Sequence, residues 1–306
     1  MSAAVVALDV GGSSVKSALV DPASHEVRGL REDPLDSLAS ADVVLESFTA
    51  ILQHALAEAA GCTLLGLGVG FPGPFDYANG ICLIQGGSAE ASAISHAGGR
   101  AKFESIYGLD LRAEFRARLR QPRLPILFGN DATVALLGEA RYGSGQPYHR
   151  LIGVTLGTGL GSAFLVEGAP VTEGAGVPRQ GWLYSEPFRG APADDSFSAR
   201  GLQQRWQRAG ADYRDAKAAA QAARVGEAPA RQAFEVFGAE LGAFLLPYAA
   251  QFGAEVVLVM GGLARAFDLF EQPLAGALGR PVFGSRLGPR AALLGAADLL
   301  LDSLGG

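Results

Sequence analysis

The stretch VVALDVGGSSVKSALVD, residues 5–21, decides how this 306-residue chain is interpreted. Two short apolar runs flank a turn that contains two glycines and two serines, and Asp9 stands near the end of the first run. Short apolar runs bounded by glycine predict buried strands joined by a tight turn. A near copy, LIGVTLGTGLGSAFLVE, occupies residues 151–167, so the sequence predicts two hairpins of the same kind.

The similarity of the two stretches extends beyond their turns. Aligning Gly11 with Gly157 also places Asp21 on Glu167. Each hairpin is followed, later in the chain, by a predicted helix and by a buried strand that ends in glycine. An internal duplication explains this order. Chance similarity between two glycine-rich hairpins is the alternative that the sequence leaves open.

Strand-like and helix-like segments alternate through the rest of the chain. Apolar residues at helical spacing predict helices, and short apolar runs predict buried strands. The predicted helices cover residues 45–60, 107–119, 132–142, 201–208, 213–225, 229–252 and 290–301, and the further strands cover 64–69, 126–128 and 255–260. Strands that alternate with helices predict an α/β fold.

The composition is that of a globular protein with acidic charge. Apolar residues make up 49% of the chain, enough for a substantial core, and the net charge is −6. Nucleic acids and anionic membranes bind basic patches, so neither is an expected partner. The N-terminus lacks the basic region of a signal peptide. Residues 242–262 contain Pro247, Gln251 and Glu255, which argue against a membrane span. We therefore expect a cytoplasmic protein.

The chain has two cysteines, Cys62 and Cys82. Two cysteines make no disulfide framework, although the sequence leaves one pairing open. Their number excludes a zinc site that is built from several cysteines.

The first glycine turn is a candidate phosphate cradle. Gly11 and Gly12 let backbone N–H groups approach an anion closely, and Ser13 adds a hydroxyl donor. Lys16 follows the turn, and Asp9 at the strand end can hold a hydrated Mg²⁺. The alternative is an ordinary tight hairpin with a lysine on the surface.

The second glycine turn is a candidate cradle without a lysine. Gly157, Thr158 and Gly159 can donate N–H and O–H groups to a phosphate. No lysine and hydroxyl residue follow the last glycine, so this is not a Walker P-loop. Gly261 and Gly262 end a predicted buried strand, where a flat base can lie against small residues. Plain turns and core packing are the alternatives.

The segment GND, residues 129–131, follows a predicted strand and precedes a predicted helix. A carboxylate there would point into the cleft above the sheet, where α/β proteins bind ligands. Asp131 could instead cap the helix. Asn130 could hydrogen-bond a hydroxylated ligand or stabilise the turn.

Gly68, Gly70 and Gly73 match the spacing of a dinucleotide-binding fingerprint. That fingerprint needs a helix that opens at the last glycine. Pro72 and Pro74 stand where its N–H groups would be, so the segment is interpreted as a rigid loop after a strand.

The order of these motifs resembles the ROK family of sugar kinases and related repressors, within the actin-like ATPase superfamily. The resemblance runs from Asp9 to the C-terminal helix, and its specific stretches are DVGGSSVK, FPGPFD, NDATVALLGEA and LGTGLGS. It implies two duplicated α/β domains of the actin-like ATPase (ribonuclease H-like) fold around a central cleft. The expected domains are residues 1–128 joined by the C-terminal helix 290–303, and residues 129–289.

The resemblance also assigns roles to residues. It implies ATP-dependent phosphoryl transfer to a sugar hydroxyl, with Asp131 as the catalytic base. Asn130, Gly73 and Ser185 would lie on the sugar side. The remaining residues would bind ATP·Mg²⁺: Asp9 (through water to the metal), Gly11, Gly12, Ser13 and Lys16 in the first hairpin, Gly157, Thr158 and Gly159 in the second, and Gly261 and Gly262 beside the adenosine. A homodimer is expected from the family.

The chain departs from the family pattern in one sugar-binding region. Family glucokinases carry a Glu-x-Gly-His loop and a cysteine-rich zinc motif, whereas this chain reads GWLYSEPFRGAPADDSFSARG there. Compared with zinc-free members, Trp182 occupies the glutamate position and Ser185 the histidine or asparagine position. Two alternatives follow: a non-catalytic paralogue that binds sugar or nucleotide, and a glucokinase whose donor is polyphosphate.

Overall fold

The computed structural model describes residues 2–86 and 101–305, in two compact units. The first comprises Met1–Gly138 and Pro289–Gly306, and the second comprises Glu139–Gly288. This division places Asn130 and Asp131 in the first unit, whereas the domain boundary that we predicted at residue 128 would place them in the second. The helix that follows them packs closely against the C-terminal helix of the first unit, which accounts for the difference.

The first unit is built around a five-stranded sheet in the order β3-β2-β1-β4-β7. Its elements up to the crossing into the second unit are β1 (Ala3–Val10), β2 (Ser14–Val20), β3 (Val27–Pro34), α1 (Ala41–Glu58), β4 (Thr63–Phe71), β5 (Phe75–Asp76), β6 (Ile81–Cys82), a 3-10 helix (Glu104–Ile106), α2 (Leu111–Leu119), β7 (Ile126–Asn130) and α3 (Asp131–Tyr142).

The second unit contains another five-stranded sheet, in the order β10-β9-β8-β13-β14. Its elements are β8 (Arg150–Leu156), β9 (Leu160–Val166), β10 (Ala169–Pro170), a 3-10 helix (Arg179–Gly181), β11 (Pro187–Phe188), β12 (Ala191–Pro192), α4 (Ala193–Ser196), α5 (Ala199–Arg208), α6 (Ala216–Arg224), α7 (Ala228–Phe252), β13 (Val256–Met260), a 3-10 helix (Gly262–Leu269), α8 (Glu271–Leu278) and β14 (Val282–Gly284). Helix α9 (Arg290–Gly305) then returns to the first unit.

The two sheets repeat one topology. In each, an antiparallel hairpin (β1–β2 or β8–β9) stands beside a strand that runs parallel to its first member (β4 or β13). A further parallel strand, β7 or β14, completes each sheet on that side. The predicted duplicated α/β architecture is thereby confirmed at the level of strand order.

Two predicted elements differ from the structure. β3 was not predicted, because six of its eight residues are exposed and its apolar residues do not alternate, and its position at the sheet edge depends on pairing with β2. The helix predicted over residues 107–119 begins only at Leu111. Gly108 has a positive φ of 77°, and Asp110 accepts a hydrogen bond from the backbone N–H of Ala113, which caps the helix start.

The glycines of the first unit's core serve close packing. A Cβ on Gly68 of β4 would overlap the backbone of Ala296 in α9, and a Cβ on Gly138 of α3 would overlap that of Ala291. Without these side chains, α9 lies directly on the sheet and on α3. This explains Gly68 physically and agrees with the exclusion of a dinucleotide fingerprint.

Helix α7 is long and apolar enough, by length and composition, to cross a membrane; half of its most apolar window is buried inside the protein. Buried core helices commonly pass the same test.

Cys62 and Cys82 are both free thiols, so the pairing that the sequence left open is not formed.

Candidate active site

The first glycine turn connects β1 to β2 at the edge of the sheet where the parallel strands end. The backbone N–H of Gly11 donates to the carbonyl oxygen of Ser14 at 2.9 Å, which closes the turn. The carbonyl of Ser13 accepts from Leu35 N at 3.0 Å, whereas Ser13 itself is exposed. The turn is therefore fixed from one side and open on the other, as an anion cradle requires.

Asp9 and Lys16 lie directly opposite each other on β1 and β2. The Lys16 ammonium is 3.2 Å from Asp9 Oδ2, and the two side chains are 24% and 20% exposed. The pair joins an anion and a cation immediately below the turn, and both remain within reach of a ligand.

Asn130 and Asp131 lie at the same edge of the sheet as Asp9. The register pairs Asp9 with Gly70 and Gly70 with Gly129, so the carboxyl ends of β1, β4 and β7 are aligned. This edge is where open α/β sheets bind ligands.

Asn130, not Asp131, caps helix α3. Asn130 Oδ1 accepts from the N–H and hydroxyl groups of Thr133 at 3.1 and 3.3 Å. Asn130 Nδ2 donates to the hydroxyl of Tyr77 at 3.1 Å, and that hydroxyl donates to the carbonyl of Phe71. Asp131 Oδ1 instead accepts from the next N–H, that of Ala132, at 2.8 Å. The capping alternative therefore belongs to Asn130, which leaves Asp131 without that structural role.

The Asp131 carboxyl group at this edge has a raised proton affinity. Desolvation by the surrounding protein raises its pKa from the ordinary 3.8 to about 6. The hydrogen bond from Ala132 lowers that pKa, the charge of Asp9 raises it, and the charge of Lys102 lowers it. A carboxylate in this range can both exist ionised at neutral pH and accept a proton.

The second glycine turn is held by residues that the sequence analysis did not single out. Gly157 N donates to Gly159 O at 3.0 Å, and the N–H of Ala199 donates to Gly157 O at 2.8 Å. Buried Asp194 accepts from the N–H of Leu160 at 2.6 Å. A Cβ on Gly159 would lie 2.9 Å from the same Asp194 oxygen, whereas one on Gly157 would meet nothing within 4 Å.

Gly261 and Gly262 follow β13 in the second unit. Gly261 has a φ of 86°, and a Cβ there would lie 2.6 Å from the carbonyl oxygen of Leu156, at the end of β8. Gly262 faces open space. Small residues thus lie beside the end of β8, and their contact with a base stays a prediction.

The predicted sugar-side residues are divided between the units. Gly73 lies in the loop between β4 and β5. Tyr77, just after β5, donates to the carbonyl of Phe71 at the end of β4 and accepts from Asn130. Ser185 is exposed and belongs to the second unit, together with Trp182, whose ring packs 5.8 Å from that of Tyr184. Asp9, Gly11, Gly12, Ser13, Lys16, Asn130 and Asp131 belong to the first unit, and Gly157, Thr158, Gly159, Gly261 and Gly262 to the second.

The donor set fits a magnesium ion that is held mainly through water. Among residues 2–86 and 101–305, no cluster of three or more His, Cys, Asp or Glu side chains could enclose a metal. Asp9 and Asp131 instead offer carboxylates at one sheet edge. Mg²⁺ keeps several waters and binds through one or two carboxylates plus phosphate oxygens.

Comparisons with known proteins agree on one family. The model of the ROK family matches residues 5–303. A glucokinase of Thermotoga maritima is 24% identical over 99% of this chain and 98% of its own.

Solved structures share the fold. A ROK family glucokinase from Streptomyces griseus, in complex with glucose and AMPPNP, has a TM-score of 0.75 at 22% identity, over 97% of this chain and 98% of its own. A ROK family transcriptional regulator, a homologue of the E. coli MLC protein, has a TM-score of 0.78 at 16% identity, over 99% of this chain and 79% of its own.

Proposed function

The chain belongs to the ROK family, and from that premise we propose that it is an ATP-dependent kinase that transfers the γ-phosphoryl group to a hydroxyl of a sugar, a hexose or an amino sugar. The observation that carries the proposal is Asp131. Its carboxyl group lies at the ligand-binding edge of the sheet, its pKa is raised to about 6, and the helix cap is supplied by its neighbour Asn130. The relatives that are glucokinases support the reaction class.

In this mechanism Asp131 accepts the proton of the attacking hydroxyl. The hydroxyl oxygen bonds to the γ-phosphorus, the bond from that phosphorus to the bridging oxygen breaks, and its electron pair leaves with ADP. Positioning and electrostatic stabilisation do most of the work in phosphoryl transfer. A positioned general base contributes about 10²–10⁴-fold in rate.

The glycine turns would hold the phosphates through their backbone N–H groups. Gly11, Gly12 and Ser13 would do so in the first unit, and Gly157, Thr158 and Gly159 in the second. Lys16 balances the charge of Asp9, which would hold Mg²⁺ through water. The bound Mg²⁺ would neutralise charge on the phosphates. Gly261 and Gly262 would border the adenine, and Asn130, Gly73 and Ser185 would contact the sugar.

Release of ADP in a coupled assay tests the proposal. The panel consists of aldoses and N-acetylated amino sugars, each with ATP·Mg²⁺ or polyphosphate as donor. Sugar-dependent ADP release supports the proposed reaction. A polyphosphate donor yields no ADP, so the sugar phosphate itself is quantified by mass spectrometry in both arms. Sugar phosphate that forms with polyphosphate and not with ATP would contradict ATP as the donor.

A non-catalytic ROK protein is the second candidate. Two observations favour it: the fold similarity to a transcriptional regulator, and the Trp182 and Ser185 substitutions in the sugar loop. Titration calorimetry measures whether the sugar binds, and the coupled assay measures whether ADP is released. A sensor binds its sugar and releases no ADP.

The homodimer and the cytoplasmic location also stay predictions. Light scattering of the purified protein tests the homodimer.

A further inference from the structure

Lys102 is held in place by buried neighbours on both sides. Ala101 and Phe103 are 1% and 0% exposed. The N–H of Ala101 donates to the carboxylate of Glu104 at 3.2 Å, and the N–H of Phe103 donates to the carbonyl oxygen of Ser37 at 2.7 Å. The backbone that carries Lys102 is therefore fixed before and after it.

The same Ser37 connects this segment to the first glycine turn. Its hydroxyl donates to the carbonyl oxygen of Gly12 at 2.5 Å, and Ser37 is 2% exposed. One buried residue thus bonds both Gly12 and Phe103, so the position of Lys102 relative to the turn is set by two hydrogen bonds.

Phe103 adopts a backbone conformation that an aromatic residue rarely takes. Its φ is 60°, in the left-handed region, where residues other than glycine are uncommon. Its ring packs 5.0 Å from that of Phe71 and 6.4 Å from that of Phe48, which holds the residue there. Strain of this kind persists when the surroundings over-determine it and is frequent at functional sites.

The Lys102 side chain lies over the glycine turn. A Cβ built on Gly12 would lie 2.9 Å from Lys102 Nζ and 2.7 Å from Cε. Any residue larger than glycine at position 12 would displace the ammonium. The Lys102 charge also acts on the Asp131 carboxyl. One cation therefore adjoins both the phosphate-side turn and the candidate base.

Lysine is rare in this chain. It occurs three times, at positions 16, 102 and 217, among 25 lysines and arginines. Two of the three adjoin the first glycine turn. An ammonium is a compact charge with three rotatable donors, whereas the arginine used elsewhere is a planar fork. Lysine binds phosphate as a point charge, without the bidentate geometry of arginine.

We propose that Lys102 is a further catalytic residue, whose ammonium contacts the non-bridging oxygens of the phosphoryl group while it passes from ATP to the sugar. The inference rests on the proposed kinase function. Lys102 gives up no proton in this role: the hydroxyl proton goes to Asp131, and the electron pair of the broken bond leaves on ADP. The ammonium stabilises charge on the moving group, as preorganised donors do in other transfer reactions.

Lysine labelling tests the contact without turnover. The protein is acetylated at low reagent excess, alone, with ADP·Mg²⁺ or with AMP-PNP·Mg²⁺, and the three lysines are quantified by mass spectrometry. AMP-PNP should protect Lys102 severalfold more than ADP does, because only AMP-PNP carries the γ-phosphate. Lys217, exposed on helix α6, is the internal control. Equal labelling of Lys102 with both nucleotides would overturn the inference.

Substitution tests the catalytic effect. Lys102→Met should lower kcat by about 10²–10³-fold, the usual loss for one oxyanion donor, whereas the KM for sugar changes little. Lys102→Arg should recover part of kcat, because it restores the charge, and Lys217→Met should match wild type. A Met variant with wild-type kcat would overturn the inference. If that variant does not fold, kcat of the Arg variant and the labelling decide.

Failure of the inference and failure of the proposed function give different results. If AMP-PNP protects Lys16 but not Lys102, the kinase site stands and the role of Lys102 is refuted. If wild type releases no ADP with any sugar and neither lysine is protected, the proposed function itself fails, and the inference fails with it.

Discussion

The two glycine hairpins have the same strand arrangement and different chemistry around their turns. In the first unit, the turn after β1 adjoins three carboxylates, Asp9, Asp131 and Glu32, and two lysines, Lys16 and Lys102. In the second unit, the turn after β8 consists of Gly157, Thr158 and Gly159, and its carboxylate neighbour is Asp194. Asp194 is buried and accepts a backbone hydrogen bond, so it shapes the turn.

The difference indicates that the two units share a strand arrangement but not the charged residues beside the turn. Sheet order and hairpin geometry repeat in both units. The first turn has Asp131, whose raised pKa suits proton transfer, and two lysines beside it. The second turn offers backbone N–H groups and a hydroxyl, and its charged neighbours Asp194 and Arg200 pair with each other at 3.3 Å. We therefore expect changes beside the first turn to affect the chemical step and changes beside the second to affect nucleotide binding.

Asp131→Asn should have the largest effect. Loss of the base should lower kcat by about 10²–10⁴-fold, and AMP-PNP should still bind in calorimetry. The variant should be at least as stable as wild type at pH 7, because the folded protein disfavours the ionised carboxyl that Asn replaces. Asp110→Asn is the matched control, since it keeps a cap on helix α2. If Asp131→Asn turns over as fast as wild type, Asp131 is not the base, and the two turns do not differ in chemical role as proposed.

The pH dependence of activity should show whether the chemical step depends on Asp131 beside the first turn. The pKa of Asp131 is raised, so its base form is present above about pH 6 and is lost as pH falls through that value. The kcat/KM for the sugar reports the free enzyme and should fall about tenfold for each pH unit below 6. The KM for ATP should not change in the same way if the second turn acts through its backbone. A kcat/KM that stays flat down to pH 4.5 would exclude a base with this pKa.

Asp194→Ala should affect binding more than chemistry. Removing the acceptor leaves the buried N–H of Leu160 unpaired, which costs about 1–3 kcal/mol. We expect the KM for ATP to rise about tenfold, corresponding to ~1.4 kcal/mol, with a smaller change in kcat. Arg200 pairs with both neighbouring carboxylates, with Asp194 at 3.3 Å and with Asp195 at 2.7 Å. Asp195→Ala is the control, because the Asp195 side chain is partly exposed. If both variants raise KM equally, Arg200 rather than the turn is responsible.

Glu139→Gln should have the smallest effect on chemistry and a clear one on stability. Glu139 is fully buried and accepts from Ser144 N, Ser285 Oγ and Leu287 N at 2.8, 2.6 and 2.9 Å. It thereby ties together the two ends of the second unit. The loss of charge-assisted hydrogen bonds should lower the free energy of unfolding by about 1.5–3 kcal/mol, measured by urea denaturation.

The matched control for Glu139 is a surface pair. Glu114 bonds Arg118 one turn away on helix α2, and both side chains are partly exposed. Glu114→Gln should cost less than about 1 kcal/mol. Equal losses in the two variants would show that Glu139 does not fasten the second unit.

The hairpins and the parallel strands could be predicted because their signal is local. Short apolar runs bounded by glycine specify strands and turns within a few residues. The role of Asp131 was ambiguous from sequence, since either residue of an Asn-Asp pair can cap a helix. The hydrogen bond from Thr133 to Asn130 resolves which one does.

Lys102 and Asp194 could not be assigned from the sequence, for a different reason. Each reaches a glycine turn that is distant in the chain, and the connection depends on tertiary contacts: Ser37 for Lys102, and the start of helix α4 for Asp194. A weak signal did exist for Asp194, in the ADDSFS segment that resembles zinc-free family members. β3 could not be predicted, because most of its residues are exposed and its sequence shows no alternating apolar pattern. Its position depends on pairing with β2.

A crystal structure with AMP-PNP, Mg²⁺ and the sugar that the activity panel identifies tests the central claim most directly. The account predicts phosphate oxygens bonded to backbone N–H groups of both turns, residues 11–14 and 157–159. It also predicts one sugar hydroxyl within hydrogen-bond distance of Asp131. Phosphates that contact neither turn, or a sugar with no hydroxyl near Asp131, would contradict it.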